Sequence, residues 1–168
     1  MTRINPIKRE IPGPGQESVW DYPRPPALRR CQKRVRIVLR GKTLADTTGA
    51  LCVLETSHPP SYYLPPGDID MQYLREVSAT SFCEWKGLAS YYDLVCNGET
   101  FPRIAWTYHR PAANYLDLRD HIAFYAHVMD ACYVGDERVL PQPGNFYGGW
   151  ITADVVGPFK GEPGTLGW

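Results

Sequence analysis

No stretch of this chain approaches the roughly 20 apolar residues that a membrane-spanning helix needs. Its opening, Met1-Thr2-Arg3-Ile4-Asn5-Pro6, lacks the apolar segment of a secretory leader. Membrane insertion is therefore not expected. Paired cysteines are also missing: Cys31, Cys52, Cys83, Cys96 and Cys132 form no Cys-x-x-Cys motif, and an odd number closes no disulfide framework. Reduced thiols in a cytoplasmic compartment fit that pattern. The four histidines, His58, His109, His121 and His127, are not grouped with cysteines at zinc-site spacing. Neither Gly-x-x-x-x-Gly-Lys nor Gly-x-Gly-x-x-Gly follows a strand, which removes the usual cradles for nucleotide phosphates. The expectation is a soluble protein with no metal and no cofactor.

A net charge is lacking as well, since 18 Lys/Arg meet 18 Asp/Glu. That balance hides an asymmetry. Up to Lys42 there are 11 basic residues against 3 acidic, and beyond it 7 against 15. A basic end can dock on the acidic body of its own chain or of a second copy, giving a homodimer held through its ends. No groove-reading motif accompanies the charges, so nucleic acid is not the expected partner.

What the chain does have is punctuation: 16 prolines and 15 glycines in 168 residues favour turns, short strands and ordered coil over long helices. One domain is expected at this length. Residues 1–33 read as a basic, proline-rich arm with Trp20 and Tyr22 as anchors. Residues 34–139 read as the core domain. Residues 140–168 form a Gly/Pro tail whose Phe146, Tyr147, Trp150, Phe159 and Trp168 argue for ordered packing on the core or a twin subunit, because disordered linkers are poor in aromatics.

Within the core, Val35, Ile37 and Leu39 alternate with Arg34, Arg36, Val38 and Arg40, the period of a half-buried strand. Leu44 to Asp46 and Ala50 to Glu55 continue a meander. Asp68 reads as the cap of a short helix carrying Ile69, Tyr73 and Leu74, after which Val77 to Thr80 is strand again. Pro111 to Leu118 reads as a helical turn and His121 to Tyr125 as a strand. Asn97-Gly98, between two strand-like runs, is the signature of a two-residue type I′ hairpin. Counting outward pairs Tyr91 with Ile104, Ala89 with Trp106, Gly87 with Tyr108 and Lys86 with His109, with Pro102 able to bulge that register. The result is an aromatic-lined wall whose rim carries Lys86 and His109.

The fold class this supports is mainly β. These residues also resemble an uncharacterised family, domain of unknown function 427, sometimes labelled nucleotidyltransferase-like. The resemblance rests on Arg34-Val35-Arg36-Ile37 with Gly41 and Ala45-Asp46, Leu54-Glu55-Thr56, and Tyr62-Tyr63-Leu64-Pro65. It continues through Phe82 to Tyr91, Ala105-Trp106-Thr107-Tyr108 with Pro111, and Ile122-Ala123-Phe124-Tyr125. Where the family's motif looks like Cys-Pro-Tyr-Lys-Gly, this chain has Cys83-Glu84-Trp85-Lys86-Gly87. The resemblance covers about Lys33 to Val139 and implies a compact antiparallel architecture, a β-tent or small barrel of two facing sheets with one or two short helices.

Chemistry centres on Lys86. A lysine between Trp85 and Gly87 at the start of an apolar strand suits anion binding or a Schiff base. Cys83, near that cation and near His109 in the counted register, offers a thiolate nucleophile. Glu55 ends an apolar strand and would pair with Lys86 as the floor of a site. Tyr63, Tyr91, Trp106 and Tyr108 supply ring faces and hydroxyls for its walls. Asp68-Ile69-Asp70 has the form of a magnesium pair, but its place at a helix start favours capping. The leading expectation is a module that binds a small polar or anionic molecule in an aromatic-lined pocket. The alternatives are an enzyme with Lys86 or Cys83 as nucleophile, and an oligomerising structural protein.

Overall fold

The computed structural model describes residues 6–168. Strands β1 (Glu17–Ser18) and β2 (Ala27–Arg30) lie in the proline-rich arm, followed by β3 (Val35–Leu39), β4 (Lys42–Thr47), β5 (Leu51–Leu54) and β6 (Ser61–Tyr63). The longest strands are β7 (Leu74–Cys83), β8 (Gly87–Cys96) and β9 (Glu99–Thr107). Short strands complete the series: β10 (Ile122–Phe124), β11 (Ala131–Val134), β12 (Glu137–Arg138), β13 (Leu140–Pro141), β14 (Trp150–Ile151) and β15 (Val155–Val156). Three antiparallel sheets, ordered β10-β9-β8-β7, β12-β11-β3-β4 and β2-β5-β6, carry the architecture. A bridge between Leu64 and Ile122 joins the end of β6 to β10, but no sheet of the described residues closes into a barrel. The mainly β class predicted from composition is therefore found, in its open form. No helix of the described residues is long and apolar enough to cross a membrane.

The alternation of Val35, Ile37 and Leu39 places all three in the core, while Arg36 and Val38 on the other face are only partly buried. Arg40 and Gly41, both at positive φ, make the tight turn into β4. The expected helix after Asp68 does not form. In its place stand single 3-10 turns at Pro66–Asp68 and Met71–Tyr73. The Asp68 carboxylate accepts a hydrogen bond from the Thr47 hydroxyl at 2.7 Å instead of capping a backbone N–H. Ile69 bridges to Ala45 and returns the chain to the sheet before a second turn can form. Asp70 accepts from Gln72 Nε2, so the two aspartates have separate partners.

Asn97 and Gly98 both take positive φ, as a type I′ turn requires, and Cys96 pairs with Glu99 as counted. Beyond Phe101 the register slips by two residues, so that Tyr91 faces Trp106 and Ser90 faces Thr107. The cause is a bulge in which Arg103 adopts φ 49° and its N–H is captured by Asp93 Oδ1 at 2.9 Å. A slip of two keeps every side chain on its face. Trp106 and Tyr108 still point inward, but His109 no longer lies opposite Lys86. The counting also misses the neighbouring hairpin, in which Cys83 pairs with Gly87 across a turn at Glu84, Trp85 and Lys86.

Arm and tail pack on the core and on each other. β1 pairs in parallel with β15, and β2 adds an edge to β5. Trp20 donates from Nε1 to Pro158 O at 2.9 Å and meets the Trp168 ring edge to face. Basic residues of the arm find carboxylates of the same chain, Arg29 with Glu17 at 2.5 Å and Arg24 with Glu55 at 3.3 Å. The main anchor of the tail is Trp150, 1% exposed, stacked on Tyr62 at 5.1 Å and donating from Nε1 to Phe124 O at 3.0 Å.

If the tail is part of the core, removing this ring leaves a large cavity. Trp150→Ala is expected to lower unfolding free energy by about 4 kcal/mol in a urea titration. A loss below about 1 kcal/mol, the scale of an ordinary surface change, would show that the tail merely lies on the surface.

Candidate functional site

The second, smaller apolar cluster of the molecule is built from Val53, Tyr63, Ala89, Trp106, Tyr108, Tyr115, Leu118 and Ala123, with Cys83, Trp85, Tyr91 and Tyr125 packed at its edge. Above it opens a hollow of about 570 Å³, in the range of small-molecule sites. Glu55, Tyr63, Cys83, Lys86, Tyr91, Trp106 and Tyr108, the residues nominated from sequence, all line it. Arg24 from the arm joins them, with His58 from the core, and Phe146, Tyr147, Lys160 and Trp168 from the tail.

Local structure holds Lys86 at this hollow. It ends the tight turn between β7 and β8, where Gly87 takes φ +106°, a backbone conformation that L side chains rarely adopt. The Lys86 carbonyl accepts from Ala112 N at 2.9 Å, pinning the turn to the loop that follows β9. The ammonium then sits 5.7 Å from the centre of the Tyr108 ring. No carboxylate of the described residues lies within 4.0 Å of it. Burial disfavours its charge, the neighbouring Cys83 and Glu55 favour it, and the net direction of its pKa is upward. Lys86 is thus an ammonium at neutral pH.

The walls are tied together by hydrogen bonds and ring contacts. Tyr63, 1% exposed, accepts a hydrogen bond from Trp106 Nε1 at 3.1 Å, and its ring lies 6.2 Å from that of Tyr108. Burial raises the pKa of both phenols, so they remain neutral donors. Tyr91 shares a hydrogen bond with Ser81 at 2.8 Å. Gly148 passes so close that an added Cβ would lie 2.2 Å from Trp106 Cη2, so the tail packs directly on the indole.

The expected Glu55–Lys86 pair is not made. Glu55 Oε2 instead lies 3.3 Å from Arg24 and 3.5 Å from His58 Nε2. The arm supplied a cation that strand counting could not place. The Cys83–His109 pair is not made either, because the bulge carries His109 away. Its ring nitrogens face Asp120 at 2.7 Å and Glu76 at 2.5 Å, and chiefly the bond to Asp120 raises its pKa. Sequence reasoning missed His58, Arg24 and Lys160. The first two stand beside prolines, in Tyr22-Pro23-Arg24-Pro25 and His58-Pro59-Pro60, where no periodicity assigns a face. Lys160, 9% exposed, donates to Trp168 O at 3.2 Å and lies 5.3 Å from the Tyr147 ring centre.

His58 reports the field of the hollow. Burial first, then the charges of Lys160, Arg24 and Lys86, lower its pKa to about 4. The Gln142 amide contacts Nδ1 at 3.0 Å, and as its donor leaves the ring proton on Nε2, toward Glu55. A neutral histidine in the native state must bind a proton on unfolding below its ordinary value of about 6.5. Stability is therefore expected to fall between pH 6.5 and pH 4, by up to about 3 kcal/mol from this group. His58→Gln should flatten that part of the pH–stability curve, measured by urea unfolding, and an unchanged slope would contradict a neutral, cation-ringed His58.

The family described as a domain of unknown function (DUF427) matches residues 27–135. The match takes in β2 and runs through β11, so it includes Glu55, His58, Tyr63, Cys83, Lys86, Tyr91, Trp106 and Tyr108 and leaves Arg24 and the tail outside. None of the curated proteins matches the chain. With most of its sheet framework and the Lys86 turn inside the matched span, the chain belongs to the DUF427 family.

Proposed function

We propose that this protein binds a small anionic molecule with a planar body in the hollow beside Lys86. The observation that carries this reading is the ammonium itself, set against rings with no carboxylate of its own within salt-bridge distance among the described residues. A half-buried cation gains from an incoming anion what it lacks from the protein. Of the cationic side chains around the space, Arg24 is engaged by Glu55 and Lys160 donates to Trp168 O, which leaves Lys86 as the one with no such partner among the described residues. The half-buried rings of Trp85, Tyr91, Tyr125 and Tyr147 give faces for a flat ligand over the buried Tyr63, Trp106 and Tyr108, and the neutral His58 gives a hydrogen bond for orientation. The raised pKa of Lys86 supports holding an anion over forming a Schiff base, which needs a free amine. Cys83 lies beside Lys86, but the histidine expected to activate it is engaged by Asp120 and Glu76, so a nucleophile there lacks its base.

The test is calorimetric titration with benzoate, the simplest planar anion. Lys86→Met keeps the stem that packs on the rings and removes only the charge. The variant is expected to bind benzoate at least tenfold more weakly, a loss of about 1.4 kcal/mol, with a melting temperature at or above that of the parent. Equal affinity in the two proteins would refute the anchoring role.

A further inference from the structure

A second hollow, of about 520 Å³, shares Ser81, Tyr91, Tyr125 and Phe146 with the first as common wall. Its far side is formed by Thr80, Arg103, Ile104, His127 and Asn145. No aspartate or glutamate lines it. The one carboxylate at the bulge, Asp93, points its Oδ1 at the backbone N–H of Arg103, and no carboxylate of the described residues lies within 4.0 Å of that guanidinium. The same bulge gives Arg103 a positive φ, a strained conformation for a residue with a side chain. Bulges of this kind re-aim a side chain beside binding sites. Arg103, exposed, thus lines the second hollow, and Lys86 lines the first, with the Tyr91, Tyr125 and Phe146 rings between them. Phe146, exposed at the boundary, is steadied by its carbonyl, which accepts from the Tyr125 hydroxyl at 2.6 Å.

We infer that the two hollows form one bipartite cleft, and that its ligand is an elongated molecule with an acidic group at each end. One acid lies on Lys86, the flat body crosses the Tyr91 and Tyr125 rings, and the second acid reaches Arg103. This rests on the reading of Lys86 as an anion anchor and extends it to a length and a second charge. A guanidinium presents paired N–H donors in the geometry of a carboxylate, which suits the outer, wetter position.

Three probes separate the parts: benzoate, biphenyl carboxylate and biphenyl dicarboxylate, titrated into the full chain by calorimetry. The dicarboxylate is expected to bind at least tenfold more tightly than the monocarboxylate, and Arg103→Gln to abolish that advantage. Ala79→Trp, which fills the second hollow from β7, is expected to weaken both biphenyl acids at least tenfold while benzoate binds as before. A dicarboxylate no tighter than the monocarboxylate, or an advantage that survives Arg103→Gln, overturns the bipartite cleft and leaves benzoate on Lys86 standing. Failure of benzoate itself to bind overturns the anchor, and the cleft with it.

Discussion

A primary ammonium half-withdrawn from water beside aromatic rings, with no carboxylate of the described residues in salt-bridge contact, is the constraint around which the rest of this molecule is arranged. Removing an ion from water is costly unless other groups compensate. Lys86 obtains partial compensation from the Tyr108 face and from Glu55, which faces it across the space while engaged by Arg24. The remaining deficit is what an anion would fill. Burial acts on the neighbours as well, so the phenols stay protonated and His58 stays neutral.

Holding that arrangement requires all three parts of the chain. The β7–β8 turn places Lys86, and the loop after β9 pins the turn through Ala112. The β9 strand carries Trp106 and Tyr108, and β6 brings Tyr63 beneath them. Arg24 arrives from the arm and Lys160 from the tail, whose path is secured by Trp150 on Tyr62 and by the close passage of Gly148 over Trp106. The family-matched span thus supplies the anchor and most of the walls, and the flanking segments add the outer cations and part of the cover.

Much of this was legible in the sequence where local rules act alone. Alternation in β3 located a core strand, Asn97-Gly98 located a hairpin, and the spacing of Trp106 and Tyr108 gave their common face. Those signals depend on period and turn chemistry, which tertiary context left intact. The failures share a cause: each depended on a particular side-chain or strand contact that period and turn chemistry do not encode. Asp93 capturing the Arg103 N–H shifted a register that counting from the turn could not correct, and with it displaced His109. Thr47 drawing in Asp68, and Ala45 pairing with Ile69, replaced a short helix by 3-10 turns. Arg24 claiming Glu55 removed the expected partner of Lys86, and proline-bounded segments gave no periodic clue to which cation would arrive.

The most direct measurement is a crystal structure of the protein with a bromine-substituted benzoate, located by the anomalous signal of the bromine. The account predicts the carboxylate within hydrogen-bonding distance of Lys86 Nζ and the ring against Trp106 or Tyr108. An empty hollow at saturating ligand, or a Lys86 ammonium turned away into bulk solvent, would contradict it.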